Sequence, residues 1–123
     1  MRILLDTHVV IWWDEGARLH RDGDRAIRDA DQVYVSAVSG WEIAIKTALG
    51  RLAPRRTVAD AAAESGFEEL PVRLHHAEAL VRLPPHHRDP FDRMLAAQAL
   101  AEGLSLLTRD PAFKPYGVRV VRA

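Results

Sequence analysis

Cysteine is absent from this chain of 123 residues, which excludes a disulfide framework, a zinc site with thiolate ligands and a cysteine nucleophile. Long apolar runs are also absent, because none approaches the roughly 20 residues of a membrane-spanning helix. The first apolar run meets Asp6 after only a few positions. We therefore expect no signal peptide, no membrane partner and a cytoplasmic location, which the lack of cysteine permits.

An excess of one sign of charge is lacking too. Seventeen lysines and arginines balance seventeen aspartates and glutamates, so the field of the whole molecule attracts nucleic acid only weakly. A polyanion would have to be held by a local group of residues. The same balance also fits a protein whose surface is partly covered by a basic or mixed-charge partner, and composition leaves both alternatives open.

What the chain does have is a regular alternation of short apolar runs with helical periodicity. The expected strands lie at 2–5, 33–36, 67–70 or 67–72, 104–107 and 118–121, and the expected helices at 9–13, 19–30, 39–50, 57–66, 75–83 and 90–102, with a loop at 108–117. Strands that alternate with helices imply parallel crossovers. The sequence predicts one α/β domain over residues 1–123, with a parallel-rich central sheet of four to five strands flanked by helices.

Two helix boundaries carry specific sequence signals. Asp89 followed by Pro90 is a strong helix start, with an N-cap residue and a proline at the first helical position. Gly103 is placed to end that helix, and Gly50 is placed to end the helix that begins near Ser39.

Four acidic residues stand directly after a predicted strand or in the first turn of the next helix, namely Asp6, Glu42, Asp92 and Asp110. In a parallel sheet these positions share one edge. Carboxylates gathered there repel one another unless a cation lies between them, and hard divalent cations prefer oxygen ligands. The pattern predicts an Mg²⁺ or Mn²⁺ site that polarises a phosphodiester and activates a water for hydrolysis.

Each acid also has an ordinary structural explanation. Asp6 could cap the following helix, Asp110 could be a turn residue beside a proline, and Asp92 could act on the helix dipole. Glu42 could complete a capping box with Ser39 or form a surface ion pair one turn on.

Asp92 is the acid that fits its structural explanation least well. Its neighbours at helical spacing form an apolar stripe of Leu95, Ala96, Ala99 and Leu100. A carboxylate on a stripe that faces the core is costly unless it is paired or bound to metal.

Other polar and aromatic residues give weaker indications. Thr7 could add a hydroxyl ligand or serve only as a cap. The pairs 75–76 and 86–87 are histidines that could bind zinc, but solvent or interface positions fit them better. Three tryptophans, Trp12, Trp13 and Trp41, fit a core or a partner interface better than base stacking. Six basic residues could contact phosphates or simply be solvated: Lys46, Arg51, Arg55, Arg56, Arg93 and Arg109.

Several motifs in one order resemble PIN-domain proteins and, more narrowly, the VapC-type toxins of bacterial and archaeal toxin–antitoxin pairs. They are Leu-Leu-Asp-Thr-His at 4–8, Ser-Ala at 36–37, Ser-Gly-Trp-Glu-Ile-Ala-Ile-Lys at 39–46, Leu-Gly-Arg-Leu at 49–52, Asp-Pro-Phe-Asp-Arg-Met-Leu-Ala-Ala-Gln-Ala at 89–99, and Leu-Thr-Arg-Asp at 107–110 with Phe113. The resemblance runs from the first predicted strand to the last.

The resemblance implies a PIN fold and an Mg²⁺- or Mn²⁺-dependent endoribonuclease that arrests translation by cutting RNA. By motif position it assigns the family's catalytic and metal-binding acids to Asp6, Glu42, Asp92 and Asp110. It also implies a homodimer and a tight complex with a VapB-like antitoxin, which covers the toxin groove and alone contacts operator DNA. Asp89 belongs to the pattern as an N-cap that could also orient the site.

Two other classes of function stay open at this point. One is a non-catalytic PIN-like module that docks a protein partner through its tryptophans. The other is a magnesium-dependent phosphotransfer domain. A phosphatase of the haloacid-dehalogenase type needs a second aspartate where this chain has His8, and a response-regulator receiver needs a mid-chain aspartate after a strand, where Glu42 opens a helix instead.

Overall fold

Two α-helices lie between successive strands along most of the chain, and a single 3₁₀ turn joins the last two strands. A computed structural model describes residues 1–85 and 88–123. The strands are β1 Arg2–Leu5, β2 Gln32–Ser36, β3 Glu68–Leu70, β4 Ser105–Thr108 and β5 Val120–Arg122. The helices are α1 Thr7–Asp14, α2 Arg21–Asp29, α3 Ala37–Ala48, α4 Val58–Ser65, α5 Leu74–Ala79 and α6 Pro90–Glu102, with 3₁₀ turns at Leu80–Arg82 and Pro111–Tyr116. The zinc hypothesis for His86 and His87 lies outside the described residues.

The five strands form one parallel sheet in the order β3-β2-β1-β4-β5. Leu4 in the central strand pairs with Tyr34 of β2 on one side and with Leu106 of β4 on the other. The chain therefore builds outward from β1 first in one direction and then in the other. Such a reversal opens a crevice at the carboxyl end of the central strand. The predicted α/β class and the parallel sheet of four to five strands are confirmed.

Both faces of the sheet are buried, which explains why β1 is apolar at successive positions. Ile3 and Leu5 point into one core with residues of α1, α2 and α4. Leu4 points into a second core with Val38 of α3 and Leu95 of α6. The three strand residues are completely buried, so β1 holds the site above it in a fixed position.

The boundaries of α6 match the sequence prediction. The Asp89 side chain accepts hydrogen bonds at the helix start, Pro90 occupies the first turn, and Gly103 ends the helix in a left-handed conformation at φ 66°. These are the geometries in which an N-cap aspartate and a C-terminal glycine are favoured.

The start of α3 differs from the prediction. The helix begins at Ala37, directly after β2, and Ser36 caps it by accepting a hydrogen bond from the Val38 N–H at 3.0 Å. Ser39 lies inside the helix and its hydroxyl contacts Thr7 Oγ1 at 2.9 Å. The capping box between Ser39 and Glu42 is therefore wrong, because either serine could cap in sequence and only packing selects the first.

The predicted loop at 108–117 is also wrong in part. Pro111–Tyr116 forms a 3₁₀ helix, and Phe113 and Tyr116 anchor it by their buried rings. The last strand consequently starts at Val120, two residues later than expected. Val118 is still buried in the core, which is why its apolar character resembled a strand in the sequence.

Helix α2 lies very close to the edge strand β5. A Cβ atom at Gly23 would lie 2.6 Å from the Arg122 carbonyl oxygen, so the helix requires glycine at this point of contact. This contact fixes α2, and with it the loop that joins α1 to α2. Among the described residues, no helix is both long and apolar enough to cross a bilayer.

Candidate metal centre

A cleft of about 160 Å³ opens at the carboxyl edge of the sheet. All four acids predicted from the sequence line it, together with Asp89. The other lining residues are His8, Trp12, Lys46 and Arg109. The parallel topology thus brings together acids from four separate segments of the chain.

Asp6 is held by two hydrogen bonds at the end of β1. Its Oδ1 accepts from the Thr7 N–H at 2.7 Å, and its Oδ2 accepts from the Thr108 hydroxyl at 2.7 Å. Only 8% of the residue is exposed. Burial raises the pKa of Asp6, while the hydrogen bonds from Thr108 and Thr7 act in the opposite direction. Asp6 therefore does cap α1, as its structural explanation predicted. The cap holds the carboxylate in place, and a nearby cation would stabilise its ionised form.

Glu42 is more deeply buried than its sequence context suggests, with 2% exposed. Its Oε2 accepts a hydrogen bond from Lys46 Nζ at 2.6 Å, and this bond is the main cause of the raised pKa of Lys46. The expected surface ion pair is thus a largely buried one. Among the described residues, Glu42 Oε1 has no hydrogen-bond partner. A buried carboxylate oxygen left in that state is costly unless a cation binds it.

Asp89 and Asp92 enter the cleft from the start of α6. Asp89 Oδ1 accepts from the backbone N–H groups of Phe91 at 2.8 Å and Asp92 at 3.3 Å. Asp92 lies above buried Leu95, Ala96 and Ala99, so the apolar stripe is confirmed for these three positions. Leu100 is 45% exposed and does not belong to the stripe.

Asp110 caps the 3₁₀ helix by accepting from the Ala112 N–H at 2.9 Å. Its own N–H donates to Thr108 Oγ1 at 3.0 Å. Thr108 therefore joins two acids of the cleft, since the same hydroxyl donates to Asp6. Sequence reasoning missed Thr108, although a hydroxyl residue at a strand end beside an acid was a usable signal. The Thr7 hydroxyl, by contrast, forms a hydrogen bond with the Ser39 hydroxyl.

The donor set fits a hard divalent cation. Five carboxylates face one small cleft, the chain has no cysteine thiolate, and one buried oxygen lacks a partner within the described part of the chain. Mg²⁺ and Mn²⁺ bind such oxygen-rich sites with one or two carboxylates and several waters. Asp6, Glu42, Asp92 and Asp110 are the residues that could hold the ion.

The sequence profile of the PIN domain matches residues 3–118. The chain belongs to the PIN-domain family. Ribonuclease VapC22 of Mycobacterium tuberculosis is 32% identical to this PIN protein, in an alignment that covers 93% of this chain and 91% of the relative. The resemblance to PIN-domain proteins of the VapC type is therefore confirmed.

Solved structures agree with this PIN fold at lower identity. A DNA-bound VapBC complex from Salmonella typhimurium matches with a TM-score of 0.74 at 21% identity, covering 99% of this chain and 98% of that chain. VapBC2 from Rickettsia felis, bound to a fragment of its promoter, matches with a TM-score of 0.71 at 14% identity and the same coverage. VapBC-5 from Mycobacterium tuberculosis gives 0.64 at 24% identity, again over 99% and 98%.

The PIN domain carries a second group of ligand-type side chains away from the cleft. His75 Nε2 and His76 Nε2 lie 2.9 Å and 2.7 Å from the same oxygen, Glu102 Oε1. His76 Nδ1 accepts a hydrogen bond from the Arg73 N–H at 2.9 Å. Its proton must then be on Nε2, where it is donated to Glu102, so no lone pair remains there for zinc.

This histidine cluster is held together by its own hydrogen bonds. The bond from His76 is the first cause of the lowered pKa of Glu102, and His75 adds to it. His76 is 1% exposed, so the expectation that it faces solvent or an interface is wrong, whereas His75 is exposed.

The basic residues of the PIN domain divide into two groups. Lys46 and Arg109 line the cleft. Arg56 and Arg55 instead bind the Asp14 carboxylate, and their contacts lower its pKa, with Arg56 as the main cause. Arg93 donates to the Pro84 carbonyl at 2.9 Å. Arg51 is exposed. Two of the six basic residues therefore face the acids, and the other four do not line the cleft.

The tryptophans have three different environments. Trp41 is 59% exposed and meets the Phe91 ring edge-on with centroids 4.9 Å apart, which fits an interface and not a core. Trp12 is half-buried beneath the Arg109 guanidinium, which lies 4.0 Å from its ring centroid. Trp13 packs against the first core and donates from Nε1 to Ser65 Oγ at 3.0 Å.

Proposed function

We propose that this protein is a metal-dependent endoribonuclease toxin of a VapBC-type pair, which hydrolyses RNA phosphodiester bonds and so inhibits translation. The observation that carries the proposal is Glu42 Oε1, a buried carboxylate oxygen for which the described residues supply no partner, in a cleft with four further carboxylates. The 32% identical relative is named a ribonuclease, and that name agrees with the chemistry of the cleft.

In this mechanism Asp6, Glu42, Asp92 and Asp110 hold Mg²⁺ or Mn²⁺. The ion, when bound, polarises the scissile phosphodiester and lowers the pKa of a bound water. The protein's own contribution is to fix the ligands before the ion arrives. Thr108 holds the Asp6 carboxylate and the Asp110 backbone in one hydrogen-bonded unit.

The two cations of the cleft have distinct roles in the proposal. Lys46 fixes one oxygen of Glu42, and the other would be available to hold the ion. Arg109 lies in the cleft wall over Trp12, where its guanidinium can contact a phosphate oxygen of the substrate. Asp89 caps α6 and orients the first turn that carries Asp92.

We further propose a VapB-like antitoxin as partner, a homodimer, contact with operator DNA only through the antitoxin, and a cytoplasmic location. The three solved structures named above belong to VapBC toxin–antitoxin systems, and two of them are bound to DNA. The exposed apolar side chains of Trp41, Ile45 and Leu49 repeat every four residues along α3 and its C-cap. An apolar strip of this kind is typical of a surface that a partner covers.

The test compares two aspartates at the same helical position. Asp92 and Asp60 are each the third residue of a helix, and the cap side chain before each helix bonds the backbone N–H of that aspartate. Only Asp92 lines the cleft. We expect Asp92→Asn to lower RNA cleavage at least about 100-fold. Replacing a residue that only supports a metal ligand costs up to about 100-fold in activity, and replacing the ligand itself should cost more. Asp60→Asn should cleave like the parent.

The measurement uses purified protein freed of antitoxin, labelled RNA, and Mg²⁺ or Mn²⁺, with EDTA as the metal-free control. Circular dichroism establishes that both variants fold. Cleavage by Asp92→Asn at the parent's rate would refute the proposal. Calorimetry that finds no divalent-metal binding, with partner binding intact, would favour a non-catalytic module instead.

A further inference from the structure

A larger and differently charged cavity lies beside the acidic cleft. It has a volume of about 550 Å³ and is formed by the end of α1, the following loop and α2 from its first turn to its last. Three arginines line it, Arg18, Arg21 and Arg28, against one acid, Asp24. We name this cavity the arginine groove. In a chain with balanced charge overall, such a local excess of arginine is the kind of feature that holds a polyanion.

Arg109 connects the arginine groove to the cleft. Its guanidinium lies in the cleft wall over Trp12, and its Nη2 donates to the Arg18 carbonyl oxygen at 3.0 Å. Because Arg109 directly follows β4, this bond holds the loop after α1 at the carboxyl edge of the sheet. The Arg109 side chain therefore separates the two cavities. A single strand of nucleic acid that left the cleft past Trp12 would reach the groove.

The arginines of the groove are accessible, and Arg28 is also held in place. Arg28 donates from Nε and Nη2 to the two oxygens of Asp24 at 2.9 Å and 3.2 Å, and its guanidinium lies 5.3 Å from the Trp13 ring centroid. The Arg21 side chain is 93% exposed and that of Arg28 64%. The contact of Gly23 with β5 fixes the helix that carries both.

We propose that the arginine groove binds backbone phosphates of single-stranded RNA next to the scissile bond. The inference rests on the proposed function, since it assigns a subsite to the same substrate. The cleft presents five carboxylates, which repel every phosphate that the metal does not neutralise. Neighbouring phosphates therefore need positive charge just outside the cleft, and the groove supplies it.

RNA fits this groove better than an acidic protein segment does. The groove lies next to the cleft in which a phosphodiester has to lie, with only Arg109 between the two, whereas a peptide would need no such adjacency. Guanidinium groups pair with phosphate and carboxylate oxygens alike, so the position of the groove beside the cleft is what favours RNA. Binding of an acidic peptide in place of RNA is one of the outcomes that the experiment separates.

The test measures RNA binding without cleavage. Fluorescence anisotropy of a labelled single-stranded RNA is recorded in EDTA at several salt concentrations. The double variant Arg18→Ala/Arg21→Ala is compared with Arg25→Ala/Arg82→Ala, which removes the same charge from exposed sites outside the groove. Each lost phosphate contact on a single strand reduces the salt slope by about 0.7. For the groove variant we expect the slope of log affinity against log salt concentration to fall by about 1.4 and the affinity to fall roughly tenfold. The control variant should match the parent.

Two results would overturn the groove as an RNA site. Equal losses in both double variants would show a general effect of charge. Unchanged RNA binding by the groove variant, combined with weaker binding of a labelled polyglutamate peptide, would assign the groove to an acidic protein segment.

A cleavage assay with Mg²⁺ separates failure of this inference from failure of the proposed function. If the groove binds RNA, the groove variant should raise KM roughly tenfold on long RNA and leave kcat unchanged. If the parent cleaves RNA and the groove variant has the same KM, the groove is not an RNA site but the proposed function stands. If the parent binds RNA through the groove but does not cleave it, the proposed function is wrong but the groove is an RNA site.

Discussion

The acidic cleft and the histidine cluster contain the same kinds of side chain, yet their hydrogen bonds differ. In the cluster, Glu102 Oε1 lies within hydrogen-bond distance of both His75 and His76, and the second nitrogen of His76 accepts from the Arg73 N–H. In the cleft, Glu42 uses one oxygen for Lys46, and the described residues offer none for the other.

The difference teaches that residue type alone does not identify a metal site. Both groups contain a carboxylate beside a deeply buried, ligand-type residue, and both would pass a search by composition. Hydrogen-bond satisfaction separates them, because buried polar groups with a structural role find partners within the protein. In the proposed function, the oxygen that the described residues leave without a partner, Glu42 Oε1, is the one that an ion would bind.

The strongest test of the comparison exchanges one glutamate in each region for its isosteric amide. We expect Glu42→Gln to lower RNA cleavage at least about 100-fold, because the ion loses a charged ligand. Glu102→Gln should stay within about twofold of the parent, since it alters only the cluster. Steady-state cleavage of labelled RNA measures both. Equal losses from the two substitutions would break the distinction.

A second test asks whether the cluster has the structural role that its hydrogen bonds indicate. His76→Ala removes a buried ring that bonds to Glu102 and Arg73, so we expect a loss of about 2 kcal/mol in the free energy of unfolding. His75→Ala, at an exposed position, should lose under about 0.5 kcal/mol. Urea denaturation provides both values. A neutral effect of His76→Ala would remove the structural role.

Thermal unfolding with and without Mn²⁺ sharpens the comparison independently of activity. At an ion concentration about ten times its Kd, binding to the folded state adds about 1.4 kcal/mol. The corresponding rise in Tm should disappear in Glu42→Gln and persist in Glu102→Gln. Persistence in both would place the ion elsewhere in the molecule.

The smallest expected effect is a dependence on pH. The pKa of Glu102 is lowered in the folded protein, so its ionised form stabilises the fold. That stability is present above its ordinary pKa of 4.5 and is lost as pH falls through the lowered value. We expect the free energy of unfolding of the parent to exceed that of Glu102→Gln by under about 1 kcal/mol at neutral pH. In strong acid the two values should be equal. A difference that grows in acid would contradict the assigned sign.

Much of the fold could be predicted because its determinants are local. Fully buried strands require continuous apolar runs, and the Asp89–Pro90 and Gly103 boundaries of α6 have their own backbone requirements. The start of α3 could not be chosen, because Ser36 and Ser39 are equally good caps in sequence. The 3₁₀ helix at Pro111–Tyr116 depends on burial of Phe113 and Tyr116, which is a property of the assembled core.

For the site, sequence was informative about which acids meet and not about how they are held. Strand ends and helix starts placed all four acids at one edge, although Glu42 lies in the second turn of α3 and not in the first turn expected from the sequence. The role of Thr108 as a link between two acids, and the burial of the Glu42–Lys46 pair, follow from contacts across the sheet. No local pattern specifies such contacts, so only the assembled fold could provide them.

The hydrogen bond between Asp6 and Thr108 joins residues that are 102 positions apart. During synthesis the early strands emerge first, yet the cleft has no far wall until β4 pairs with β1. A ribosome that has not yet released β4 therefore carries a chain with isolated acids and no completed centre. The order of strands in the sheet therefore delays completion of the acidic cleft until β4 has been synthesised.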